Sequence, residues 1–186
     1  MKDIDIRIES LGEIITNKLL CKRIMVLHGE IDEGIAYETV RKLMYLSVLN
    51  TEPITILLNT VGGNVYDGLF IYDTIRDLVF KGVEVNIEVR GLAASMGLII
   101  LQAATKRVSS KYTRFLIHEM SDICHGKTSQ IEDETAEAKK LNDMLRGIEA
   151  IRSKKTSEEI EALTKRRDIW LSAEEALEWG LIDSIV

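Results

Sequence analysis

Apolar positions recur along this chain with two periods that take turns. "KRIMVLHG" (22–29) has the short, β-rich run of a strand. "EGIAYETVRKLMYLSVLN" (33–50) places Ile35, Val40, Leu43, Met44 and Leu46 toward one side of a helix. "ITILLN" (54–59) is apolar almost throughout, the pattern of a strand covered on both faces. "VYDGLFIYDTIRDLVF" (65–80) predicts the next helix and "EVNIEVRG" (84–91) the next strand. "GLAASMGLIILQAA" (91–104) reads as a glycine-flanked turn entering a buried helix. Two short β segments follow, "KRVSS" (106–110) and "RFLIHEM" (114–120), then a long charged helix over 128–154. Thr156 with Glu159 and Ser172 with Glu175 form capping boxes for two short helices; Gly180 closes the second, and "LIDSIV" predicts a last strand. Strands alternating with helices predict an α/β domain around a mainly parallel sheet.

Composition narrows the class. The chain has 186 residues, 46% hydrophobic and 29% charged, which suits one ordinary globular domain. A net charge of −6 with no basic stripe speaks against a nucleic-acid partner. Cys21 and Cys124 are too few and too far apart for a disulfide framework or a zinc motif, and they fit a reducing, cytoplasmic setting. No apolar run reaches the length of a membrane helix, so no membrane partner is expected, and the first residues lack the apolar stretch of a signal peptide.

Three features can carry chemistry. The Gly pair of "NTVGGNV" (59–65) lies between a buried strand and a helix start, where it either makes a tight turn or brings backbone N–H groups to a ligand. Ser95 sits at a strand-to-helix junction, where a serine either caps the helix or is presented as a nucleophile. His118 ends an apolar strand, a place for a structural histidine or for a base. A serine nucleophile needs a base and an orienting carboxylate, and Asp168 precedes another short apolar segment. Periodicity alone does not bring these residues together. No His shows metal-ligand spacing, so neither metal nor cofactor is expected.

The segments "KRIMVLHGEID", "ILLNTVGGNVYDGLFIYDTI", "GLAASMG", "FLIHEM" and "RRDIWLSAEEALEWGLIDSIV" stand in the order and spacing of one family. From about Leu20 to Val186 the chain resembles ClpP, the proteolytic subunit of the Clp protease. The resemblance implies the ClpP/crotonase-like fold of repeated ββα units with a protruding strand-helix handle at about 119–150, in a single domain with an N-terminal segment over 1–19. It implies a serine endopeptidase with Ser95 as nucleophile, His118 as base and Asp168 as carboxylate. It implies an oxyanion hole from the N–H groups of Gly63 and Met96, and an extended substrate between Asn64, Val65 and Tyr66 on one side and Met120, Ser121 and Asp122 on the other, with an apolar residue at the cleaved position. It further implies a heptameric ring, single or paired as a tetradecamer, fed with polypeptides by an AAA+ unfoldase such as ClpX or ClpA. An inactive scaffold subunit and a crotonase-type acyl-CoA enzyme are the alternatives.

The chain departs from the family at four places. Thr60 and Val61 stand where the family writes Ser-Pro before the Gly pair. Glu119 follows His118, either facing solvent or acting on the histidine. Arg166 and Arg167 replace an Asp-Arg pair before Asp168, so Arg166 is expected to meet a handle carboxylate such as Glu132 or Asp133. The N-terminal segment, the axial-loop region in the family, matches poorly.

Overall fold

The computed structural model describes residues 10–121 and 125–186; Asp122 and Cys124 lie outside the described residues. The elements, in order, are α1 (Leu11–Cys21), β1 (Ile24–Ile31), α2 (Glu33–Leu49), β2 (Ile54–Gly63), α3 (Val65–Phe80), β3 (Val85–Ala94) and α4 (Met96–Gln102). There follow β4 (Lys106–Ser109), β5 (Arg114–Ile117), α5 (Thr128–Ile151), α6 (Ser157–Thr164), β6 (Ile169–Ser172), α7 (Ala173–Trp179) and β7 (Ser184–Ile185).

α1 is an element the hydrophobic pattern does not predict. It starts at a capping box in which Ser10 Oγ accepts from the Glu13 N–H at 3.2 Å and the Glu13 carboxylate accepts from the Ser10 N–H at 2.7 Å. The expected boxes at Thr156 and Ser172 are both present, and Gly180 closes α7 in the left-handed region at φ 78°. The last strand is shorter than expected, with only Ser184 and Ile185 pairing to β4.

The strands form one seven-stranded sheet among the described residues, ordered β1-β2-β3-β4-β7, with β5 and β6 branching from β3. All pairings are parallel except β5 with β6. The branch arises because β3 changes partner along its length. Asn86–Val89 pair with β4, and Leu92–Ala94 pair with β5. The connection from β4 to β5 is pinned to Val89, whose carbonyl accepts from the Ser110 N–H and the Thr113 hydroxyl. This fork carries the C-terminal end of β3 to the C-terminal end of β5.

The sheet is packed by the apolar faces of its helices. Ile56, Leu58, Ile87 and Val89 are fully buried, with Ile71, Ile75 and Leu78 of α3 in the same core. All seven residues of α4 are buried, so it is an internal helix. α5 is the reverse, exposed from Thr128 through Glu137 and burying only Leu141 and Glu149. It falls within the stretch where a handle is expected; Glu119–Ser121 before it pair with no strand.

One ionic cluster joins the C-terminal segment to the ends of α4 and α5. The buried Arg107 guanidinium donates to Asp183 at 2.5 and 3.2 Å and to Gln102 Oε1 at 2.6 Å, while Arg152 donates to Asp183 at 3.1 Å. Partial burial would raise the Asp183 carboxyl, but the bonds from Arg107 outweigh it and hold the group below its ordinary value. Replacing Asp183 by Asn leaves a buried guanidinium without its counter-charge. Chemical denaturation of Asp183→Asn is expected to show a loss of about 2 kcal/mol, less than for a fully buried pair because Asp183 is partly solvated.

Candidate active site

The parallel strands β1, β2, β3 and β5 bring their C-terminal ends together. Ile31 pairs with Gly63, Thr60 with Ala93, and Ala94 with Leu116. In open α/β sheets, sites form at these strand ends.

Ser95 links β3 to α4 with φ 53° and ψ −123°, a left-handed conformation rare for a side chain larger than glycine. Its N–H donates to the Leu116 carbonyl at 3.0 Å, and its carbonyl accepts from Leu98 at 2.9 Å. The hydroxyl makes no capping bond, so helix capping does not account for this serine. The Gly pair lies directly against the junction. A Cβ on Gly62 would fall 2.7 Å from Ser95 Cβ and 3.1 Å from the Met96 nitrogen, and one on Gly63 would fall 2.2 Å from the Ile31 carbonyl oxygen. Only glycine fits either position. Thr60 braces the turn that lacks the family's proline, its buried hydroxyl donating to the Gly29 carbonyl and accepting from the Gly62 N–H at 3.0 Å.

His118 is the first residue beyond β5, which is shorter than the 114–120 expected. β5 and β6 pair with Ile117 opposite Ile169, so extending that antiparallel register by one residue sets His118 opposite Asp168. Ser95, bonded through its N–H to Leu116, lies beside the same strand end. Asp168 is exposed, and among the described residues no side-chain hydrogen bond joins Ser95, His118 and Asp168. Glu119 is half-buried, and its carboxylate accepts from the Arg166 N–H at 3.4 Å.

A cleft of about 320 Å³ opens here. Ser95, His118, Gly63, Met96, Asn64, Val65, Tyr66, Met120 and Ser121 all line it; Asp168 does not. One expected substrate edge differs in form. Val65 and Tyr66 are the first turn of α3, and Asn64 caps that helix through Oδ1 on the Tyr66 and Asp67 N–H groups. The Asn64 N–H is itself spent on the Ile31 carbonyl, so this side does not present the ladder of a free strand edge.

The family model described as Clp protease matches residues 8–186. The chain belongs to the Clp protease family. A Synechococcus protein named ATP-dependent Clp protease proteolytic subunit 3 is 40% identical over 176 residues, covering 92% of this chain and 86% of that protein. Proteins named ATP-dependent Clp protease proteolytic subunit 2 are 39% identical in Prochlorococcus marinus (92% of this chain, 86% of that protein) and 35% identical in Pseudomonas aeruginosa (95% and 87%). The mixed α/β architecture agrees with the ClpP fold. No helix among the described residues of this Clp family member is long and apolar enough to cross a membrane, and no described group of His, Cys, Asp and Glu is placed to hold a metal.

α5 contributes site residues that the sequence pattern does not single out. Asn142 Oδ1 accepts from the Met120 N–H at 2.8 Å, fixing the segment after His118 to the helix. Glu149, 6% exposed, lines the cleft, and burial pushes its carboxyl up to about 8 against the opposing pull of Arg146. Between the ordinary carboxylate range and pH 8, the folded chain holds a proton that the unfolded chain releases. Stability therefore falls as pH rises through that window. Thermal melts of the parent and Glu149→Gln from pH 5 to pH 8.5 are expected to shift in favour of the Gln variant as pH rises; a constant difference would place the carboxyl in its ordinary range.

Proposed function

We propose that the chain is an active serine endopeptidase that cleaves unfolded polypeptides through an acyl-enzyme on Ser95, inside a ring of its own copies. The observation that carries this reading is the strained β3–α4 junction, which presents Ser95 to a cleft shared with His118 while the β5–β6 register brings Asp168 alongside. His118 takes the Ser95 proton as Oγ attacks the peptide carbonyl, and Asp168 orients the imidazole and stabilises its charged form. The N–H groups of Gly63 and Met96 receive the oxyanion; Met96 opens α4, so its N–H has no acceptor within the helix. The protonated His118 then gives its proton to the leaving amine, and water, activated by His118, releases the acyl group.

Self-association accounts for two features of the isolated chain. Tyr37, Tyr45, Val48 and Leu49 on α2 leave large apolar area exposed, and the charged first half of α5, read here as the handle, stands free of the core. Arg166 is exposed and forms no ion pair with Glu132 or Asp133 among the described residues of its own chain, which leaves that contact to a neighbouring copy. The relatives' names describe ATP-dependent proteases, and this supports an ATP-driven unfoldase as the source of substrate. The unlinked side chains of Ser95, His118 and Asp168 favour a second reading, a scaffold subunit without activity.

A fluorophosphonate probe separates the two readings. The assembled protein is expected to carry the adduct on Ser95 by mass spectrometry, with none in His118→Ala and a rate about 10³–10⁴-fold lower in Asp168→Asn. An assembled ring without the adduct would establish the scaffold reading. Gly62→Ala drives a methyl into Ser95 and the Met96 nitrogen, and is expected to slow the same labelling by about 100-fold, the cost of misplacing reacting groups by an ångström.

A further inference from the structure

The cleft beside Ser95 has an apolar wall and one buried acidic group. From Met96 it follows α4 to Ile99, and on α5 its lining residues Glu134, Ala138, Leu141, Leu145 and Glu149 recur at helical spacing on a single face. Two polar side chains on this wall are buried, Thr164 and Glu149. Thr164 Oγ1 is satisfied by the Ile160 carbonyl at 2.9 Å. The Glu149 carboxyl makes no hydrogen bond among the described residues, Arg146 acts on it through charge alone, and its oxygens are not fully enclosed, so they open to the cleft. A carboxyl in so buried a setting is stabilised by a hydrogen-bonding group that enters the cleft.

The surrounding charge limits what that is. Glu119, Glu134 and Glu137 also line the cleft, against Arg146. Arg146 is already engaged, paired with Asp143 and 3.9 Å from Glu161. A side chain suited to this pocket has a long aliphatic stem and a cationic head.

We propose that Glu149 sets the specificity of the site by receiving the head group of a lysine or arginine side chain, whose stem lies along Met96, Ile99, Leu141 and Leu145. This rests on the reading of Ser95 as the acylated serine and replaces the apolar preference expected from the family. An arriving ammonium stabilises the ionised carboxylate, so basic residues bind with release of the Glu149 proton. The preference for lysine therefore strengthens as pH rises toward 8. His118 acts on lysine and leucine substrates alike, whereas Arg146, Glu119, Glu134, Glu137 and Glu161 add a charge effect on the lysine head that the Glu149 variants leave in place, so the change of the ratio on substituting Glu149 isolates its role.

The test uses the assembled full chain and two peptidyl phosphonate diphenyl esters, one with a lysine-type and one with a leucine-type side chain at the reacting position, with Ser95 adducts counted by mass spectrometry. The lysine-type probe is expected to react about tenfold faster, and the ratio to fall to near one in Glu149→Gln and to invert in Glu149→Leu. In the parent chain the ratio is expected to rise about fivefold between pH 7 and pH 8, following the ionised fraction of the carboxyl, a trend that needs no variant. Labelling of Ser95 with a leucine preference, or with a ratio that neither the variants nor pH alter, overturns the role of Glu149 and leaves the serine peptidase reading in place. Labelling by neither probe overturns both.

Discussion

The close approach of the β2–α3 turn to the β3–α4 junction is the constraint on which the site depends. Gly62 and Gly63 leave no space for a side chain, and because they do not, Ser95 is held at a positive φ with its hydroxyl outside the helix cap. A conformation of this kind costs roughly 1–3 kcal/mol and persists only where its surroundings over-determine it. Here they do so through the Leu116 carbonyl on one side and the buried, fully engaged Thr60 on the other. Thr60 is also why the missing proline does not loosen the turn: a side-chain bridge between Gly29 and Gly62 supplies the stiffness that a fixed φ supplies elsewhere in the family.

The fork in β3 places the remaining groups. Had β3 paired with β4 along its whole length, β5 and His118 would lie one strand further from Ser95. By giving its last three residues to β5, β3 sets the nucleophile candidate beside the histidine, and the antiparallel β6 returns Asp168 to the same level. Asp168 is the least constrained of the three, exposed and outside the cleft lining. It follows a segment with Arg166 at φ 60°, tied by its N–H to Glu119.

Much of this was legible in the residues. The span of α3 falls at 65–80, as the apolar period predicts, and both downstream capping boxes form where their Ser/Thr and Glu spacing places them. α1 was legible too, in the Ser10–Glu13 box, but charge alternation around it masks the helical period. The four-residue β6, with Trp170 half exposed, is too short to show a period. Glu149 was not legible at all. A glutamate in a 24-residue charged helix reads as solvated, and only the packing of the end of α5 toward α4 and α6 removes it from water. Asn142 is hidden for the same reason, since its acceptor role follows from the path of the chain after His118.

The strained backbone at Ser95 is the feature that ties the fold to chemistry. The most direct measurement is a crystal structure of the assembled protein phosphonylated on Ser95. The phosphonyl oxygen is expected about 2.7–3.1 Å from the Gly63 and Met96 nitrogens, with Asp168 hydrogen-bonded to His118. A phosphonyl oxygen turned away from both nitrogens, with Asp168 still unpaired in the ring, would contradict it.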